Sequence, residues 1–116
     1  MAPSRSFRDL KVWRKAHRWV LDVYRVTKTF PREEAFGLTS QLRRAAVSIA
    51  ANIAEGFAKR SRADKARFFN IAQGSLEESR YYLILAADLE YATTGDLLCS
   101  LDEISKMLES YCRTLR

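Results

Sequence analysis

The sequence predicts an all-α protein, an antiparallel up-and-down four-helix bundle. Three features carry that expectation. Apolar residues return at steps of three and four along four separate stretches; the breaks between those stretches are short and rich in Pro, Gly, Ser and Thr; and no stretch alternates apolar and polar residues as a half-buried strand would. Short connections place consecutive helices side by side and antiparallel.

Helix one is expected from Asp9 to Lys28, where Trp13, Ala16, Val20, Val23 and Thr27 recur at helical spacing and Phe30 follows. Pro31 then removes a backbone donor and disfavours helix at the residue before it, and Gly37 adds a flexible joint. Thr39 or Ser40 is placed to cap helix two, which runs to Arg60 with Leu42, Ala46, Ile49, Ile53 and Phe57 on its core face. Gly56 inside that helix costs about 1 kcal/mol against alanine, which points to a close backbone approach. Ser61 is the expected cap of helix three, from Ala63 to Ala92, burying Phe68, Ala72, Ser75, Leu76, Tyr82, Leu83, Ala86 and Leu89. Thr93, Thr94, Gly95 and Asp96 end it. Helix four sets Leu97, Leu101, Ile104, Leu108, Tyr111 and Leu115 on a heptad seam.

The chain of 116 residues, 47% of them apolar, is long enough for one domain with a core and too short for two. Residues 1–116 therefore read as a single domain, with residues 1–7 as a flexible N-terminal arm. No apolar run approaches the roughly 18 residues that span a bilayer, and the first residues lack the apolar stretch of a secretory signal. A soluble, cytoplasmic protein without a membrane partner is expected. Cys99 and Cys112 agree with that compartment: on one helix they stand about 20 Å apart, beyond the reach of a disulfide.

Catalytic and metal chemistry find little material. His17 is the only histidine, so a di-iron centre built on two Glu-x-x-His motifs cannot form. One histidine and two distant cysteines do not make a closed zinc site. Gly37, Gly56, Gly74 and Gly95 stand apart rather than in a phosphate loop. His17 lies among Lys15, Arg18 and Trp19 with no evident carboxylate to orient it for nucleophilic catalysis. No enzyme, metal or cofactor is expected.

The net charge of +6 is unevenly spread. Residues 1–67 hold 16 Lys and Arg against 6 Asp and Glu, and residues 68–116 hold 4 against 8. A concentrated positive field suits a polyanion such as RNA or DNA. On helix one, Lys11, Arg14, Lys15, Arg18 and Arg25 share the face opposite the core, interrupted by Asp22, and Arg43, Lys59, Arg60 and Arg62 extend the candidate nucleic-acid surface. Trp19 borders this face while Trp13 faces the core, which makes Trp19 a candidate for stacking on a base or for packing on a neighbour; ordinary helix packing is the competing account of Trp19, and the favoured one.

Helix two carries a narrow polar stripe of Gln41, Arg44, Ser48, Asn52, Glu55 and Lys59 between its core face and a second apolar face of Val47, Ala50, Ala51, Ala54 and Ala58. Two apolar sides imply contact with more than the helix's own bundle. Arg44, Ser48, Ala51, Asn52, Ala54 and Glu55 are thus the expected oligomer interface; a solvated stripe with an internal Glu55–Lys59 pair is the competing account.

Several of these residues recur as short motifs: Asp9-Leu10 with Trp13, Phe30-Pro31 before Phe36-Gly37-Leu38, Arg44-Ala45 with Ser48-Ile49, Asn52-Ile53-Ala54-Glu55-Gly56, and Gly74-Ser75 with Glu78. Through them residues 7 to about 91 resemble the four-helix-bundle family encoded in intervening sequences of bacterial 23S ribosomal RNA genes. The chain departs from that family's Leu-Gly-Tyr pattern with Leu89-Glu90-Tyr91. The resemblance implies a bundle that assembles into a ring, a pentamer, and relatives that serve retroelements as basic accessory subunits contacting nucleic acid and a reverse transcriptase. Two functions compete: a basic homo-oligomer that binds nucleic acid, most naturally structured RNA, and a scaffold or accessory subunit that uses its positive face for an acidic protein partner. No base-reading element is visible for the first.

Overall fold

In the computed structural model, which describes residues 4–115, helices α1 (Lys11–Thr27), α2 (Leu38–Ala58), α3 (Arg62–Asp88) and α4 (Gly95–Thr114) follow one another up and down. Each packs on its sequence neighbours and α4 closes the ring against α1. The result is a bundle about 44 Å long. Its centre is a column of fully buried residues, among them Val23, Leu42, Ile53, Leu83, Leu101 and Leu108. Each such side chain contributes about 1.5–3 kcal/mol on leaving water.

The helix ends explain why the chain turns where it does. Ser61 accepts from the Asp64 N–H and caps α3 as expected. At the start of α2 neither Thr39 nor Ser40 is the cap. Gly37 occupies that position, and the Glu34 side chain accepts from the Leu38 N–H at 3.1 Å. The other Glu34 oxygen accepts from the Tyr91 hydroxyl at 2.7 Å, so one carboxylate ties the α1–α2 connection to the exit from α3. That exit comes at Asp88, four residues before the expected Ala92. The Tyr91 N–H bonds back to the Ala86 carbonyl and the Glu90 N–H to that of Ala87, which is a Schellman ending. Glu90 takes φ 64° there, a left-handed conformation at the position where the resembled family carries glycine.

Core assignments shift in three of the helices. In α1 the buried face is Val12, Ala16, Trp19, Val20 and Val23, and Trp13 is only half-buried. In α3 Phe69 is buried instead of Phe68, Ser79 joins the core, and Leu89 is exposed. In α4 Cys112 is buried and Tyr111 half-buried, while Cys99 is exposed. The arm expected over residues 1–7 is shorter than that: Ser6 caps a 3-10 turn over Phe7–Asp9 through a reciprocal Ser6–Asp9 box, and residues 1–3 lie outside the described residues.

Candidate nucleic-acid interface

The basic stripe of α1 faces α4 across an open groove of about 470 Å3, lined by Lys11, Arg14, Lys15, Arg18 and, from α4, Ser100, Glu103 and Ile104. Its cations are not equivalent. Lys15 Nζ lies 2.7 Å from Glu103 Oε2, and this hydrogen bond, followed by the attraction of the same ammonium, holds the Glu103 carboxyl below its ordinary range. Arg25 pairs with Asp22 at 2.9 Å. Arg14 donates to the carbonyl oxygens of Arg8 and Asp9 and so tethers the 3-10 turn to the helix. Lys11 and Arg18 are exposed and make no ion pair among the described residues. Glu103 is the member of this groove that periodicity along α1 could not reveal, because it arrives from another helix.

The four cations expected to extend the stripe separate into two groups. Arg43 is turned to the α2 side of α1. Its Nε donates to Thr27 Oγ1 at 2.8 Å, Nη2 reaches the Tyr24 carbonyl, and the guanidinium lies 4.5 Å from the Tyr24 ring centre. It serves as a clasp between two helices. Lys59 and Arg60 lie in the α2–α3 connection and Arg62 opens α3; antiparallel packing brings all three to the end of the bundle where α1 begins. A cavity lined there by Leu10, Phe57, Lys65, Phe69, Tyr111 and Leu115 marks the convergence of all four helices. Lys59 and Arg67 both cover the Phe68 ring, at 4.9 and 5.2 Å, and Lys65 donates to the last carbonyls of α2. Arg5, Arg8, Lys11, Arg60 and Arg62 are thus gathered at one end. Glu33, Asp88, Glu90 and Asp96 stand at the other. The charge imbalance between the two parts of the sequence becomes, in part, a polarity along the bundle axis.

Trp19 takes the ordinary packing role rather than the stacking one, and Trp13 packs on the edge of the core, half-buried. Trp19 is 1% exposed and its Nε1 donates to the Leu97 carbonyl at 2.9 Å, so it presents no face to a base. Trp13 lies parallel to His17 with ring centres 5.1 Å apart and meets the edge of Phe7. Together with Leu21 and Tyr24 these rings form one wall of a second groove, between α1 and α2, of about 520 Å3. Val47, Ala50, Ala51 and Ala54 are the other wall. The apolar side of α2 is legible in the sequence; the matching spacing of Trp13, His17, Leu21 and Tyr24 is hidden once Trp13 is assigned to the core.

The six residues expected at an oligomer interface fall on two sides of the exposed ridge of α2. Ala51 and Ala54 line the α1/α2 groove. Ser48 and Asn52 look toward α3: the Ser48 and Ser75 hydroxyls are 2.8 Å apart, and Asn52 Nδ2 donates to the Ser48 carbonyl and hydroxyl. Their hydrogen bonds are satisfied within the chain. Arg44 and Glu55 are exposed between these two sides, and Lys59 lies over Phe68 rather than pairing with Glu55.

Among the described residues no helix is long and apolar enough to cross a membrane, and no cluster of three or more His, Cys, Asp or Glu is arranged to hold a metal ion.

A family model described as 23S rRNA-intervening sequence protein matches residues 8–110. The crystal structure of a protein with unknown function from the S23 ribosomal protein family, from Bacteroides thetaiotaomicron, is similar in fold, with a TM-score of 0.81 and 28% sequence identity over 87% of this chain and 97% of that one. No curated protein matches the chain.

Proposed function

Because the chain belongs to the 23S rRNA-intervening sequence protein family, we propose that it is a non-catalytic, self-associating protein that binds RNA through its basic end and the adjoining α1/α4 groove. The observation that carries this reading is the gathering of exposed cations from three separate segments, Arg5 and Arg8, Lys11 and Arg18, and Arg60 and Arg62, into one region. Cations on long side chains can follow a phosphate backbone without a shaped groove. Lys15 and Arg25 are recruitable, since an exposed ion pair is worth about 0–1 kcal/mol. Trp19 is unavailable for stacking, so binding is electrostatic and tolerant of sequence. Self-association, into a ring on the family pattern, would repeat the basic region around the assembly and raise avidity.

A second reading has its own support. Phe36, in the α1–α2 connection, is 100% exposed and lines one shallow pocket with Tyr24 and Val47, themselves 40% and 42% exposed, and a cluster of exposed apolar side chains suits a protein partner. In that reading the basic region meets an acidic protein.

A retention assay with structured RNA and with duplex DNA across a salt series separates the two. The RNA reading expects saturable binding that weakens steeply with salt, and its loss in a Lys11→Glu/Arg18→Glu variant of unchanged helicity. Absence of retention at low salt, or an unaffected double variant, leaves the partner-scaffold reading standing; preference for duplex DNA changes the ligand but not the surface.

A further inference from the structure

Two apolar faces of this molecule remain uncovered, and they differ in shape and charge. The first is the α1/α2 groove, walled by Leu21 and Tyr24 on one side and Val47, Ala51 and Ala54 on the other. The second is the outer face of α3, where Ile71, Tyr81 and Ile84 are 45%, 58% and 44% exposed. Gly74 lies on that face, and a Cβ added to it would meet nothing within 4 Å. This differs from Gly56, whose added Cβ would strike Phe69 at 2.9 Å. Packing within the chain therefore accounts for Gly56 and gives no reason for Gly74, although glycine costs a helix interior about 1 kcal/mol. A close approach from outside the chain supplies one.

We infer that the α3 face of one copy, centred on Gly74, seats in the α1/α2 groove of a second copy, so that the chains join head to tail. This rests on the self-association part of the proposed function and names its two surfaces. Charge complements the fit. By helical position the groove is edged by Arg14, Lys28 and Arg44, with Glu55 as the opposing charge. By the same measure the α3 face carries Glu77, Glu78 and Asp88 against one cation, Arg67, which lies over the Phe68 ring, so the groove is net positive and the α3 face net negative.

The register agrees as well. Arg43 bonds Thr27 and Ser48 bonds Ser75, which sets Gly74 at about the height of Leu21 on α1 and between Val47 and Ala51 on α2. Copies standing side by side with parallel axes would bring the glycine notch opposite the bulge of Leu21 and the alanine floor. Using different faces on the two partners makes the contact heterologous, and such a contact closes into a ring when its rotation permits.

The test uses two variants of the full chain, Ala51→Arg to block the groove and Gly74→Arg to block the α3 face. Both positions face outward, so helicity and thermal unfolding by circular dichroism should show folded proteins. Light scattering at micromolar concentration should find the parent assembled and each variant monomeric. An equimolar mixture should give a 1:1 particle of twice the monomer mass, because each variant retains the face its partner lacks. If Gly74→Arg assembles like the parent, or if both variants and their mixture all stay monomeric, the pairing of these two faces is wrong while self-association stands. A monomeric parent removes self-association itself.

Discussion

Trp19 of α1 donates its indole N–H to the main-chain oxygen of Leu97, in the first turn of α4, at 2.9 Å. The indole is the largest fully buried side chain in the bundle, and its one polar atom is satisfied by the helix farthest from it in sequence. The contact closes the ring of four helices where no connection does.

Truncating that side chain should therefore be costly. Trp19→Ala is expected to lose about 3–5 kcal/mol in urea unfolding, the range for large buried aromatics. Trp19→Phe keeps most of the apolar area and should lose less. In a Trp13→Phe variant, where Trp19 is the remaining tryptophan, fluorescence should be blue-shifted and unresponsive to added RNA.

Glu90 holds a left-handed backbone with φ 64° in the turn that ends α3. A side chain there costs roughly 1–2 kcal/mol, and Glu90 makes no side-chain bond among the described residues that would offset it. Glu90→Gly should raise the stability to unfolding by about 1 kcal/mol, measured by chemical denaturation.

Gly56→Ala should act in the opposite direction. Its Cβ would lie 2.9 and 3.1 Å from the buried Phe69 ring and 3.2 Å from Phe68 Cβ, so two helices must separate or a packed ring must turn. A loss of about 1–3 kcal/mol is expected. A neutral result in thermal unfolding would show that α2 and α3 yield more easily than their contact suggests.

The Glu34–Tyr91 pair should make stability fall in acid. The Tyr91 hydroxyl, and then the Leu38 N–H, hold the Glu34 carboxyl below its ordinary value of 4.5. The folded state therefore binds the proton less well than the unfolded chain. Its stabilisation is fully present above that ordinary value and is lost as pH falls through the lowered one. The hydrogen bond to Glu34, and then burial, raise the Tyr91 phenol, so this contribution is also lost as pH rises through the raised phenol value. In Tyr91→Phe, the Glu34 titration followed by NMR should move up toward its ordinary position, and the acid loss of stability should become shallower.

Glu103→Gln should strengthen RNA binding. The Lys15 ammonium, 2.7 Å from Glu103, would be released to phosphate. One added phosphate contact steepens the slope of log K against log salt by about 0.7 for single strands and 0.9 for duplex. An unchanged slope would place Lys15 outside the contact.

Helical spacing makes much of this protein legible one segment at a time. The four helices, the breaks at Pro31, at Ser61 and before Gly95, the cap at Ser61 and the central column of Leu42, Ile53, Leu83, Leu101 and Leu108 all follow from patterns within single segments. The α1 stripe is equally legible, because Lys11, Arg14, Lys15 and Arg18 are neighbours on one helix surface whatever that helix packs against. Glycine in the resembled family at the site of Glu90 is a further local signal, since only a few residues tolerate the left-handed turn there.

Tertiary packing decided what local periodicity leaves free, namely the rotation of each helix and the identity of its neighbours. A helix bearing aromatics on two faces, as α1 does with Trp13 and Trp19, can bury either by turning through roughly a third of a circle; α4 settled the choice by offering the Leu97 carbonyl to Trp19. Contact across helices likewise gave Lys15 its partner in Glu103, drew Arg43 to Thr27, and satisfied Ser48 through Ser75. The sequence by itself determined four amphipathic helices and a basic first part. Which charges remained free, and which apolar faces remained uncovered, depended on antiparallel packing, because residues far apart in the chain become neighbours only when the helices are set side by side.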